Sequence, residues 1–277
     1  MAALTISKLN DTVGAEVLGL GADVIAGDPG LGDELSQALE ENGVLVFREL
    51  FLGPAEQVAF ASLLGEVDFR SGAGGIFRIT LNPERNPSAE YLKGTVNWHI
   101  DGTTLPDGQN PQKATLLTAH VLADEGGQTE WASTYAGYDA LTPAERARYD
   151  GFRVVHTVAA TIRRITPDPT PEQEAAWATG PRREQPLVWR HRSGRKSLVL
   201  GGTADYVVGM GEAEGRALLD ELLERTTAPE KVYRHEWTVG DVVVWDNRGV
   251  VHRVLPYASD SPREMLRTVL LGDEPIT

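Results

Sequence analysis

Cysteine is absent from this chain of 277 residues. That excludes disulfides, thiol catalysis, thiolate-ligated haem and Cys-held iron–sulfur clusters together, and leaves His, Asp and Glu as the main side chains able to hold a metal. Positive charge is also scarce. Lys and Arg number 26 against 40 Asp and Glu, and a formal net charge of -14 argues against a nucleic-acid partner and for small molecules. No apolar run approaches the roughly 20 residues that span a bilayer, and the opening Met1-Ala-Ala-Leu-Thr-Ile-Ser-Lys8 lacks the succession of a secretory signal. The expectation is a cytoplasmic protein with no membrane partner. A homo-oligomer stays open.

What is present is an ordinary globular composition, 41% hydrophobic and 24% charged, long enough for the single domain expected over residues 1–277. Asp33 to Asn42 has a helical apolar face stopped by Gly43, Gly43 to Arg48 reads as a buried strand, and Pro54 opens a helix through Leu64. Thr142-Pro-Ala-Glu145 and Thr170-Pro-Glu-Gln173 head short helices, and Glu212 to Arg225 is a longer one. Lys113 to Leu122, the β-branched run Val154 to Ile162, Leu187 to Arg190 and Leu198 to Leu200 read as strands, with the turn Gly126-Gly127 and then Gln128-Thr129-Glu130-Trp131 after the first. Two segments have weak periodicity, 68–96 with its Asn-Pro pairs and 164–186 with its prolines; both are expected as cover over a pocket. Many short strands with added helices predict a mainly β (α+β) fold, a jelly-roll or double-stranded β-helix core of cupin type.

The chemistry-bearing residues begin with His99-Ile-Asp101. In a strand, positions i and i+2 share a face, so His99 and Asp101 can grip one metal while Ile100 packs the other way. His252 follows in Trp245-Asp-Asn-Arg-Gly-Val-Val-His252, where Val242 to Trp245 and Val250 to Val254 read as a hairpin closed by Asp246 to Gly249. Two imidazoles and a carboxylate are the ligand set of non-haem Fe(II) oxygenases, with positions left open for a bidentate oxo-acid and dioxygen. Beyond them lie Arg263 and Arg267 in an apolar strand, with Arg263, Met265, Arg267 and Val269 expected on one face. Buried guanidinium groups need anionic partners. These are either internal carboxylates or the acid groups of two bound molecules.

Taken together, His99-Ile-Asp101, Gly126-Gly-Gln-Thr129, Trp245-Asp-Asn-Arg248, His252 and Arg263-x-x-x-Arg267-Thr268 resemble the taurine dioxygenase and phenoxyalkanoate dioxygenase family of Fe(II)- and 2-oxoglutarate-dependent oxygenases, which also includes alkylsulfatases. The resemblance runs from Glu40 to Asp273. It implies the double-stranded β-helix fold, with His99, Asp101 and His252 as iron ligands, Thr129 and Arg263 on the distal carboxylate of 2-oxoglutarate, and Trp245 as a wall of that pocket. Arg267 would face the acid group of the substrate, or in some members the cosubstrate. The implied reaction consumes 2-oxoglutarate and dioxygen, releases succinate and CO2, and hydroxylates a small anionic substrate: a sulfonate, a sulfate ester, or an aryloxy- or alkyl-carboxylate.

The chain departs from the family's taurine users in having no histidine before His99. Arg70 is the candidate anion contact in that loop, and Gly102, where a larger residue is common, is expected to widen the pocket. His120 is expected as a satisfied core residue, His156, His191 and His235 as side chains without a metal role, and Trp131, Trp177, Trp189 and Trp237 as core or lid packing. Two rival classes remain: a Zn(II)-holding cupin, which has no need of the two arginines, and a non-catalytic small-molecule binding module.

Overall fold

The computed structural model describes residues 4–21, 30–106, 108–166 and 168–277. In chain order the elements are β1 (Thr5–Lys8), β2 (Ala15–Leu18), α1 (Leu31–Asn42), β3 (Val44–Phe47), α2 (Pro54–Leu64), β4 (Phe77–Ile79), α3 (Ala89–Leu92), β5 (Ala114–Val121) and β6 (Thr129–Ser133). Then come α4 (Thr134–Asp139), α5 (Pro143–Tyr149), β7 (Arg153–Thr157), α6 (Val158–Ile165), α7 (Pro171–Ala178), β8 (Arg182–Pro186), β9 (Val188–Arg190), β10 (Lys196–Leu198) and β11 (Ala204–Val207). The chain closes with α8 (Glu212–Thr226), β12 (Val232–His235), β13 (Val242–Asp246), β14 (Val250–Val254) and β15 (Glu264–Val269). Among the described residues, no helix is long and apolar enough to cross a membrane.

A seven-stranded sheet, ordered β1-β2-β3-β13-β5-β15-β4, forms one layer, and the three strands β12-β6-β14 form the layer that carries the site. The unbroken apolar runs of the central strands follow from burial on both faces. Val44, Val46, Val243 and Trp245 pack inward with Leu117, Met265, Trp131 and Tyr233 between the two layers. Their neighbours Leu45, Phe47, Val242 and Val244 pack outward under α1 and α2, against Leu35, Leu39, Phe60 and Leu64. A second cluster joins α4, α5 and α8 to the sheet β11-β7-β8 and the pair β9-β10. This is the α+β jelly-roll core that the strand pattern predicts.

Three expectations are corrected. The run Val154 to Ile162 does not stay extended: Thr157 caps α6, its hydroxyl accepting from the Ala160 N–H, and the β-branched residues continue as helix. The segment 68–96 holds an edge strand, β4, paired to β15, and a short helix, α3. The strands around Asp246 to Gly249 do not pair with each other, because β13 lies between β3 and β5 while β14 pairs with β6. The turn crosses from one layer to the other, held by Arg248 on Asp246.

Candidate active site

His252 sits on β14, and His99 meets it as an isolated antiparallel bridge in which each backbone N–H donates to the other's carbonyl, at 3.0 and 2.9 Å. The chain then turns through Asp101 to Thr104. Ile100 goes the other way, buried with Trp98, Ala132 and Val251. Behind the bridge, Gly202 donates to the Trp98 carbonyl at 2.6 Å, and a Cβ on Gly201 would fall 2.8 Å from that same oxygen. Only a residue without a side chain lets the backbone approach so closely. Sequence reasoning passes over Gly201-Gly202; its signal is a glycine pair directly after the buried run Leu198 to Leu200.

One donor atom from each of His99, Asp101 and His252 lies within 4.8 Å of the others. They converge without bonding one another: His99 Nε2 is 3.8 Å from one Asp101 oxygen and His252 Nε2 3.9 Å from the other. Hydrogen-bonded groups would be nearer 2.8 Å. His99 Nδ1 is 2.8 Å from the Asn97 carbonyl, which can only accept, so that nitrogen carries the proton and Nε2 keeps its lone pair. His252 Nδ1 is buried and, among the described residues, has no hydrogen-bond partner. Burial, then the neighbouring His99, pushes His252 down to about 3 against the pull of Asp101. Burial alone would raise Asp101, but His252, Arg267 and His99 outweigh it and hold the carboxyl below its usual value. Neutral imidazole and ionised carboxylate are the protonation states a divalent cation requires. The donor set therefore fits a metal with open coordination positions.

Two cavities meet at this cluster and share Leu92, Lys93, Thr95, His99 and Arg267 as their partition. The smaller, about 260 Å³, is lined by Thr129, Trp245, Leu117, Tyr257 and Arg263. Thr129 accepts from the Trp237 indole N–H at 3.0 Å, which leaves its own O–H free to donate. Arg263 is buried; its guanidinium donates to the Gly127 carbonyl and lies over the Tyr257 ring, and no carboxylate pairs with it among the described residues. The internal-partner reading therefore finds no support at Arg263. Desolvation lowers its pKa, opposed only by Tyr257. Trp245 stands 4.8 Å from His252, its N–H fixed by Asn247 and Asn247 in turn by Thr115.

The larger cavity, about 910 Å³, is lined on one side by Arg70, Ser71, Gly72 and Phe77 and on another by Ile162, Ile165, Gln173 and Trp177. Both segments expected as cover thus contribute to its wall, and Trp177, expected as core or lid packing, is part of that wall. Arg267 lies over the Phe77 ring, and its buried Nε has no hydrogen-bond partner among the described residues. Arg263 precedes β15, whose register shifts between Glu264 and Met265, so the expected common strand face is interrupted even though both arginines line the smaller cavity. Arg70 is 70% exposed and tied to Asp68 at the cavity edge. Gly102 does not widen the cavity by lacking a side chain: its φ is +86°, and a Cβ there would meet Gln112 and Pro111.

Residues 5–269 match the family model described as taurine catabolism dioxygenase TauD, TfdA family. The chain is 36% identical over 263 residues to an alpha-ketoglutarate-dependent 2,4-dichlorophenoxyacetate dioxygenase of Cupriavidus pinatubonensis, covering 87% of this chain and 88% of the relative. It is 32% identical to an (S)-phenoxypropionate/alpha-ketoglutarate-dioxygenase of Sphingobium herbicidovorans, covering 98% and 96%. The crystal structure of AAD-2 in complex with Mn(II) and N-oxalylglycine superposes with a TM-score of 0.81 at 31% identity, over 99% of both chains.

Proposed function

This chain belongs to the taurine catabolism dioxygenase TauD, TfdA family of 2-oxoglutarate-dependent dioxygenases, and from that membership we propose that it oxidises an aryloxyalkanoate at an Fe(II) held by His99, Asp101 and His252. The observation that carries the cosubstrate assignment is Arg263, a buried guanidinium with no carboxylate partner among the described residues, in the same small cavity as the free hydroxyl of Thr129. A dicarboxylate entering that cavity supplies the missing anion, and a bidentate fork plus a hydroxyl suits a carboxylate. Bound Fe(II) would supply the redox chemistry that couples dioxygen and 2-oxoglutarate to substrate oxidation, with succinate and CO2 as products.

The chain's own residues orient and exclude. Thr129 and Arg263 hold the far carboxylate, and Trp245 walls the cavity against His252. Arg267, in the wall of both cavities, is the cation that a substrate acid group or the near end of the cosubstrate meets. Ile79, Leu81, Val254 and Pro256 line the smaller cavity with apolar surface and keep water out. An aryl group has apolar company at Phe77, Ile162, Ile165 and Trp177, and the two relatives named for phenoxy acids support that choice among the family's substrates.

The test is succinate formation from 2-oxoglutarate by anaerobically Fe(II)-loaded protein exposed to air, with phenoxyacetates, phenoxypropionates, alkyl sulfates and alkyl sulfonates compared in parallel. The phenoxy acids should stimulate succinate most. A stronger response to a sulfonate or sulfate ester would overturn the substrate choice, and no succinate with any of them would overturn the activity.

A further inference from the structure

The sheet β12-β6-β14 carries, one residue over from His252, a second row of side chains to which the proposed reaction gives no role, although Arg253 also borders the smaller cavity. Across the strands, Tyr233 pairs with Trp131, Trp131 with His252, and His252 with His99. The adjacent row, which alternation puts on the opposite face, runs from Arg234 to Glu130 to Arg253, with the Trp98 ring 4.6 Å from the Arg253 guanidinium carbon. Glu130 is only 3% exposed and divides its carboxylate. One oxygen accepts from Arg234 Nε at 2.8 Å, the other from Arg253 Nε at 2.7 Å. Arg253 thus gives its edge to Glu130 and its face to Trp98.

His99 has need of such a fastening. It belongs to no extended ladder, and its pairing with β14 is a single bridge of two backbone hydrogen bonds. Register is weakly specified in so short a pairing, and a slip by one residue turns a side chain to the other face. Trp98 immediately precedes His99 and Arg253 immediately follows His252, so the stacked pair holds the two segments in register.

We propose that Arg253, clamped by Glu130 and stacked on Trp98, is a positioning residue that sets the register in which His99 meets His252. The inference rests on the reading of His99, Asp101 and His252 as the metal ligands. Lysine cannot stand in for it, because a point charge offers neither the planar fork nor the flat face.

The experiment titrates Co(II), an air-stable stand-in for Fe(II), into metal-free protein, followed by equilibrium dialysis and by the visible absorption of the bound ion. Arg253→Lys and Glu130→Gln should each bind about tenfold to a hundredfold more weakly, the range seen when outer partners of metal ligands are lost, and with an altered absorption envelope. Trp98→Phe, which keeps an aromatic face, should retain affinity that Trp98→Leu loses. Glu145→Gln, which breaks the Arg225–Glu145 ion pair between α8 and α5, is the control for general destabilisation and should bind as wild type. Wild-type affinity and absorption in both Arg253→Lys and Glu130→Gln would overturn the proposal, as would an equal loss in Glu145→Gln. Wild-type protein that binds no Co(II) overturns the iron reading and this proposal together.

Discussion

Arg263 and Gly127 are packed so closely that a Cβ on the glycine would lie 2.9 Å from the arginine Nε, while the guanidinium donates to the Gly127 carbonyl at 3.1 Å. That carbonyl is a neutral partner for a buried cation. Arg263→Met should therefore stabilise the ligand-free protein, in line with the gain of roughly 1–4 kcal/mol seen when buried ionic groups give way to apolar ones. The same change should raise the KM for 2-oxoglutarate about tenfold to a hundredfold, the worth of a charge-assisted hydrogen bond. Urea midpoints check the first half, and the rate of succinate formation against 2-oxoglutarate concentration checks the second. A variant that unfolds earlier than wild type and keeps its KM contradicts the reading.

Metal should act on stability through the same cluster. His99 and Asp101 are far from His252 in sequence and bridged only locally in space, so an ion that binds the folded chain alone shifts unfolding by about 2.7 kcal/mol at a hundredfold excess over its Kd. A chelator should reverse the shift, and Asp101→Ala should abolish it along with succinate formation. The readout is Tm against metal concentration; an Asp101→Ala protein that responds as wild type does would remove Asp101 from the ligand set.

His156 gives a pH prediction. It is fully buried, its Nδ1 2.9 Å from the Thr203 hydroxyl and its Nε2 without a partner among the described residues, and burial pushes it from 6.5 down to about 3. The folded chain keeps the ring neutral while the unfolded chain protonates it below 6.5. Its contribution is thus complete above pH 6.5 and is lost as pH falls from there toward 3, at about 1.4 kcal/mol per unit. His156→Gln, which cannot titrate, should show a shallower fall in stability between pH 6.5 and 5 by about that slope. Parallel stability curves for the two proteins would count against a neutral His156.

Gly201 predicts a structural lesion with a local readout. Its φ is +119°, and a side chain would press on the Trp98 carbonyl and the His99 Cα at 2.8 and 3.0 Å. Gly201→Ala should cost about 1–3 kcal/mol in strain and weaken metal binding by moving His99. Gly74→Ala, which meets no atom within 4 Å although its φ is +64°, separates the conformational cost from the displacement of His99. Equal metal affinities in the two variants would show that Gly201 serves the backbone alone.

The cluster of His99, Asp101 and His252 and the two arginines were legible because polar residues inside apolar runs stand out, and because their chemistry restricts what can satisfy them. The helices α2, α5 and α7 were legible from Pro and capping residues, which act within four positions. What lay beyond reading was set by register or by tertiary packing. Glu130 and Arg253 are unremarkable in the sequence, and only the pairing of β6 with β14 makes them partners. The run after Thr157 carries strand propensity that a cap and the packing of Ala159 and Ala160 override. Asp246-Asn-Arg-Gly249 suits a hairpin as well as a crossing between layers, and nothing local distinguishes the two.

That crossing makes the position of His252 a gauge of the core. β13 is fixed in the large sheet and β14 in the small one, so the imidazole stands where the spacing between the layers puts it, and that spacing is filled by Trp131, Trp245, Val243 and Met265. A methylene added or removed there, without touching any ligand, would be reported by the affinity for the metal.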